Sequence, residues 1–163
     1  LSLPATIEEN LILNCYFQSP FSSVGVINSP HVKKFSKDLI IDFDIRTPSS
    51  KMKVASLSGG NQQKVALARE MCNNPPLLIV HEPTRGLDVA ATEFVYEEIL
   101  SQVESGTGVL LASTNLDEIL QLSDRICVLY NGSVVAELSD VVNTSEHEIG
   151  LYMLGFKTQE NAE

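Results

Sequence analysis

Two short segments concentrate the residues that can do chemistry. The first is Leu57-Ser-Gly-Gly-Asn-Gln-Gln-Lys64. A serine and two glycines stand directly before a stretch of helical pattern. Glycines leave backbone N–H groups open to close approach, and a helix start carries the positive end of its dipole. Together they make a ready site for an anion, above all a phosphate. Ser58 has two uses here: its oxygen can cap the helix, or its hydroxyl can add a donor to the anion. The second segment is Leu77-Leu-Ile-Val-His-Glu-Pro-Thr-Arg-Gly-Leu-Asp88. Four apolar residues run up a strand and end in the polar pair His81-Glu82. In open α/β sheets the carboxyl ends of strands face the ligand crevice. A carboxylate placed there can orient a water or act as a general base. A strand end that simply meets solvent reads the same way.

The elements that must position these segments follow from periodicity and punctuation. Residues 1–56 read as helical and loop-broken. Thr6-Ile-Glu-Glu-Asn-Leu-Ile-Leu opens a helix with Glu8 and Glu9 in its first turn, where the dipole favours acids. Residues 19–25 read as a loop, and Val32, Phe35, Leu39 and Phe43 recur near helical spacing over 31–43. From residue 57 the rhythm changes. The pattern predicts a helix over 61–72, a buried strand at 77–80, a helix over 89–103, a strand at 109–112 and a short helix at 116–122. Asn131-Gly132, between strands at 125–130 and 133–138, is a type I′ hairpin signal. A last helix is expected over 145–154, before a polar tail. Strands alternating with helices predict a parallel α/β sheet with an antiparallel hairpin appended. The expected organisation is a helical portion at 1–56, an α/β core portion at 57–139, and a C-terminal helix and tail at 140–163.

Composition bounds the rest. The 163 residues are 44% hydrophobic and 20% charged, enough for one core and too apolar for a disordered chain. A net charge of −10 disfavours duplex nucleic acid and anionic membrane as partners. No apolar run approaches the roughly 20 residues that span a bilayer, and no secretory leader is evident. Cys15, Cys72 and Cys127 are odd in number and widely spaced, which predicts neither disulfides nor a metal clip and suits a reducing cytosol. His81 has no second His or Cys at useful spacing, so no metal site is expected. His31 and His147 read as solvated surface residues, Glu93, Glu97 and Glu98 as a solvated helix face, and Arg85 as a structural residue ahead of a nucleotide-pocket contact. The chain opens at Leu1 rather than Met, which reads as a fragment.

Taken together, the two segments resemble a known family. Leu57-Ser-Gly-Gly-Asn-Gln-Gln resembles the signature motif of ABC-transporter ATPases, and residues 77–88 resemble their Walker B strand and D-loop. Asn-Gln-Gln-Lys and Pro-Thr-Arg-Gly-Leu-Asp-Val look like the second nucleotide-binding domain of double-domain ATPases that drive bacterial sugar and nucleoside import. Residues 6–13, 116–126 and 149–155 resemble the stretch after the Q-loop, the stretch after the switch position and the C-terminal helix of that family. The resemblance implies a partial RecA-like (P-loop NTPase) α/β core with a preceding helical subdomain, and ATP hydrolysis with Mg2+ coupled to transport. It implies as partners the N-terminal nucleotide-binding domain of the same polypeptide, or a second ATPase subunit, and membrane permease subunits, at the cytoplasmic face of the cell membrane. Ser58, Gly59, Gly60 and Gln62 would cap ATP held by the partner domain. Glu82 takes the catalytic-base position and Asp88 the D-loop position.

Three departures qualify that expectation. No G-x-x-x-x-G-K-[ST] loop occurs in the sequence, so the chain reads as starting after the Walker A motif, and alone it is not expected to hydrolyse ATP. The Walker B acid position holds His81, and imidazole is a poor ligand for a hard cation. The switch-histidine position holds Thr114, which cannot take an imidazole's part. The chain's own site is therefore expected to be degenerate. The branch closest in wording is the nucleoside one, whose second domains also lack that histidine. Alternatives are the C-terminal lobe of a structural-maintenance-of-chromosomes-like ATPase, which the acidity and the lack of heptads in 1–56 disfavour, and a non-catalytic regulatory fragment.

Overall fold

A computed structural model describes residues 1–159; the end of the expected C-terminal tail lies outside the described residues. The chain divides into two compact units, Leu1–Leu78 with Pro83–Val109, and Ile79–Glu82 with the chain from Leu110 onward.

In the first unit, helix α1 (Ile7–Leu11) starts on a capping box: Thr6 Oγ1 accepts from Glu9 N–H at 3.2 Å, and the Glu9 carboxylate accepts from Thr6 N–H at 2.7 Å. The Thr6 N–H foremost, and then the Thr6 hydroxyl, which donates to Glu9 Oε2 at 2.8 Å, hold the Glu9 carboxyl below its usual range. Residues 19–25 are not wholly loop as expected. They contain β1 (Ser22–Ser23), which pairs antiparallel with β2 (Val26–Ile27). Val24 and Gly25 turn the corner with φ of 50° and 78°. A β-branched residue in that left-handed region is strained, and a ladder of two residues has no alternation to betray it. Helix α2 (Ser29–Asp42) starts earlier than the apolar spacing predicts. Asn28 Oδ1 accepts from His31 N–H at 3.3 Å, and Pro30 suits the first turn, where no intrahelical N–H bond is lost. Val32 of α2 packs in a cluster with Ile12, Cys15 and Phe21.

Helix α3 (Gly59–Met71) buries Val65, Leu67, Ala68 and Met71. Helix α4 (Val89–Glu104) buries Val95 and Ile99, spaced four apart on one face, and is capped by Asp88, whose Oδ1 accepts from Ala91 N–H at 2.9 Å. Lys64 of α3 lies over the Phe94 ring of α4 at 4.3 Å. Strand β3 (Leu77–His81) pairs with β4 (Gly108–Ala112), and α4 connects them. Gly108 N–H bonds Pro76 O, and further along Glu82 N–H bonds Ala112 O. Both chains advance in the same sense, so the pair is parallel, as the βαβ pattern predicts.

The second unit carries α5 (Leu116–Leu122), β5 (Ile126–Tyr130), β6 (Ser133–Leu138) and α6 (Glu146–Met153). β5 and β6 form the expected antiparallel hairpin, with Asn131 and Gly132 at φ 48° and 79° in the type I′ turn. Ile126, Val128, Ala136 and Leu138 point inward and pack with Ile149 and Tyr152 of α6. Helix α6 ends in a Schellman motif, with Phe156 N–H on Leu151 O and Gly155 N–H on Tyr152 O. Gly155 sits at φ 73°, and a Cβ there would come within 2.5 Å of the Tyr130 ring, so only glycine fits. Among the described residues no helix is long and apolar enough to cross a membrane.

Candidate functional site

The turn into α3 is built by its own polar side chains. Ser58 is the N-cap, with extended backbone at φ −62°, ψ 157°. Its Oγ accepts from Asn61 N–H at 3.4 Å and from Asn61 Nδ2 at 3.0 Å. Asn61 Oδ1 in turn accepts from Arg46 N–H at 2.7 Å. Gln62 N–H bonds Ser58 O, and Gln62 Nε2 donates to Leu57 O at 3.0 Å. Ser58 and Gly59 are exposed, and Gly60 and Gln62 half-buried. Lys64, one turn on, donates to Asp44 O at 3.0 Å and to Asp44 Oδ2 at 2.9 Å. The Lys64 ammonium holds the Asp44 carboxyl below its usual range.

The two glycines answer no need of this chain. A Cβ on Gly59 would meet nothing within 4 Å, and one on Gly60 would touch Ala91 and Leu87 only at 3.8 Å. Both lie in the regular α-helix that starts at Gly59, a conformation open to any residue. Their amides belong to the first helical turn, where N–H groups have no intrahelical acceptor. A phosphate fits such a turn: two amides at a helix start, an adjacent hydroxyl, and no side chain in the way.

The second segment is arranged differently. His81 ends β3 and is exposed. Glu82 follows at φ 48°, in the left-handed region, and its N–H donates to Ala112 O at 2.9 Å. Its Oε1 accepts from Thr114 N–H at 2.8 Å and Thr114 Oγ1 at 2.9 Å. Thr114 and Glu82, expected at the switch and base positions, are thus brought into direct contact. Pro83 is buried, and its carbonyl accepts from Gln63 Nε2 at 2.5 Å, which ties the D-loop start to α3. Asp88 gives a carboxylate oxygen to the α4 cap. A divalent cation does not fit this strand end: His81 offers imidazole, and Glu82 Oε1 already faces two donors. No group of three His, Cys, Asp or Glu residues suited to a metal occurs among the described residues.

The structure therefore places Ser58, Gly59, Gly60 and Gln62 in one turn, and Glu82 with Thr114 at a strand end. Asn61 and Gln63 join these residues without being expected from the motifs. Their signal was present as amide side chains crowding a helix start, where unpaired backbone groups need partners. Glu98 is half-buried rather than on a solvated face as expected; burial foremost, then Glu97 and Asp42, raises its carboxyl. Burial pushes the Cys72 thiol up to about 11, which leaves it inert at neutral pH.

A parallel βαβ unit, a glycine-rich helix start and a strand that runs into a carboxylate at Glu82 are parts of the ATP-binding cassette fold. The ABC transporter family matches residues 4–85, and the chain belongs to that family. It is 44% identical over 162 residues to the guanosine import ATP-binding protein NupO of Bacillus subtilis, covering 99% of this chain and 31% of that protein. It is 40% identical to the nucleoside import ATP-binding protein NupA of Lactococcus lactis, covering 95% of this chain and 30% of that one. The chain thus spans under a third of the curated relatives' length. Its fold is similar to the ATP-binding cassette MJ0796, solved as a dimer in a post-hydrolysis state with ADP and Pi, with TM-score 0.71 and 26% identity over 85% of this chain and 58% of that one. The RecA-like α/β class expected from the motifs is the fold found.

Proposed function

We propose that this chain is part of the ATPase motor of a nucleoside importer and that its role is to cap ATP held by a partner nucleotide-binding domain. The observation that carries the reading is the pair Gly59-Gly60. Neither backbone conformation nor packing within the chain asks for glycine there, so a group outside the chain must. A terminal phosphate presented by the partner would meet the two amides and the Ser58 hydroxyl, with the helix dipole behind them. Bound ATP supplies the phosphoanhydride that an in-line water would cleave on the partner's side with ADP as the leaving group, and the donors of this turn would steady charge on the phosphoryl group passed to water.

The chain's own strand end serves no comparable step. His81 stands where a cation-holding acid is needed, and Thr114 stands in place of a histidine and closes on Glu82. The 163 residues, which contain no P-loop sequence, are expected to release no phosphate from ATP on their own. The partners proposed are the N-terminal nucleotide-binding domain of the same polypeptide, or a second ATPase subunit, and permease subunits. The location is peripheral, at the cytoplasmic face of the cell membrane. The helical portion at 1–56 would lie toward the permease; Phe17 and Val26, at 63% and 71% exposure, give it apolar surface to dock.

The substrate class is set by uptake. Gly60→Asp in the full-length protein is expected to abolish uptake of labelled guanosine and to leave uptake of labelled ribose intact. The reverse pattern would move the assignment to sugars.

A further inference from the structure

The cap of α3 has a property that the signature pattern does not state. A serine hydroxyl has two lone pairs and one proton. At Ser58 both lone-pair directions are met from one residue, Asn61, through its N–H at 3.4 Å and its Nδ2 at 3.0 Å. The proton is left to point away from the helix. Asn61 cannot turn its amide the other way, because its Oδ1 receives the Arg46 N–H at 2.7 Å. A flipped amide would set two N–H donors against each other at that short distance. We infer that Asn61 is the positioning residue of the signature turn, holding the Ser58 hydroxyl as a donor toward an incoming phosphate. This inference rests on the proposed capping of a partner's ATP and adds to it the residue that orients the serine. The two uses of Ser58 weighed from the sequence, helix cap and anion donor, are then one arrangement. The cap consumes the oxygen's lone pairs, and that is what aims the proton.

Side-chain chemistry at 61 is demanding on this account. One acceptor must face Arg46 and one donor must face Ser58. Alanine supplies neither. Aspartate keeps the acceptor for Arg46 but offers Ser58 a second acceptor, which draws the hydroxyl proton inward and presents a lone pair to the phosphate.

The test uses the full-length ATPase with its partner domain and reads KM for ATP and kcat separately, alongside the thermal midpoint. Asn61→Ala is expected to raise KM about fivefold to tenfold, the scale of one oriented hydrogen bond. Asn61→Asp is expected to raise it more, with a thermal midpoint near that of the parent. Ser58→Ala is expected to raise KM as much as Asn61→Ala, and the double variant no further, since Asn61 acts through Ser58. Additive effects in the double variant, or a parental KM in Asn61→Ala beside a raised one in Ser58→Ala, would overturn the positioning role alone. A parental KM in Ser58→Ala would overturn the capping reading, and this inference with it.

Discussion

The turn at Ser58–Gln62 and the strand end at His81–Glu82 each resemble part of a nucleotide site, yet they use their polar groups differently. At the turn the side chains satisfy one another and leave donors over: the Gly59 and Gly60 amides have no intrahelical acceptor, and Asn61 fills the acceptor side of Ser58. At the strand end the donors turn inward. Thr114 puts both its amide and its hydroxyl on Glu82 Oε1, and the Glu82 N–H is on Ala112. On the capping proposal, the first keeps donors for a ligand, whereas the second spends its donors within the chain. On the proposed reading, Glu82 keeps a residue type without keeping a catalytic role. A carboxylate that braces a left-handed strand end is under constraint even where it takes no part in catalysis.

The largest effect should fall on the turn. Gly60→Asp in the full-length assembly puts a carboxylate where a phosphate must approach, while Ala91 and Leu87 at 3.8 Å leave room for its Cβ. Like charges in a partly desolvated site cost several kcal/mol, so ATPase and transport rates should drop by about a hundredfold or more, with little change in thermal midpoint. At the strand end, Glu82→Gln should change those rates by less than about threefold, because a base without a cation ligand beside it has little catalysis to lose. Gln Oε1 also still accepts from Thr114. Equal large losses for the two variants would erase the contrast and show that this strand end turns over ATP.

The brace itself is probed by stability. Thr114→Val removes the Oγ1 bond to Glu82 and keeps the backbone one, which should cost about 0.5–1 kcal/mol and lower the melting temperature by a few degrees. Thr114→Ser, which keeps the donor, should restore most of it. A Thr114→Val protein as stable as the parent would remove the structural reason for Glu82.

The smallest effect concerns the support of α3. Lys64 depresses the Asp44 carboxyl in the folded chain. A carboxyl lowered on folding stabilises above its unfolded value, near 3.8, and that stability is lost as pH falls through the lowered value. The melting difference between the parent and Asp44→Asn should therefore be flat near neutrality and vanish in acid. A difference that persists at low pH would assign the contribution to packing, not charge.

Local rules made much of this legible. The sequence by itself placed the helix starts that follow Thr6, Asp88 and Asn115, because a cap is an interaction over two or three residues and depends on little else. It determined the Asn131-Gly132 hairpin for the same reason, and the inward set Ile126, Val128, Ala136 and Leu138 through strand alternation. It offered Ser58 as a cap but expected that helix from 61, whereas it starts at Gly59 and takes both glycines into its first turn. Family resemblance marked the positions of His81 and Thr114 as departures, which no local rule would have done. What the tertiary structure decided lies between residues far apart in the chain. Thr114 grips Glu82 across 32 residues, Gln63 holds the Pro83 carbonyl across 20, and Arg46 fixes the Asn61 amide across 15. Such partners are chosen by which backbone groups the fold leaves unpaired, and an amide or hydroxyl side chain offers a donor and an acceptor to whichever arrives. The sequence could place the candidate chemistry on two segments; only the folded chain determined that Ser58 and Gly59 stay exposed while Glu82 is engaged by Thr114.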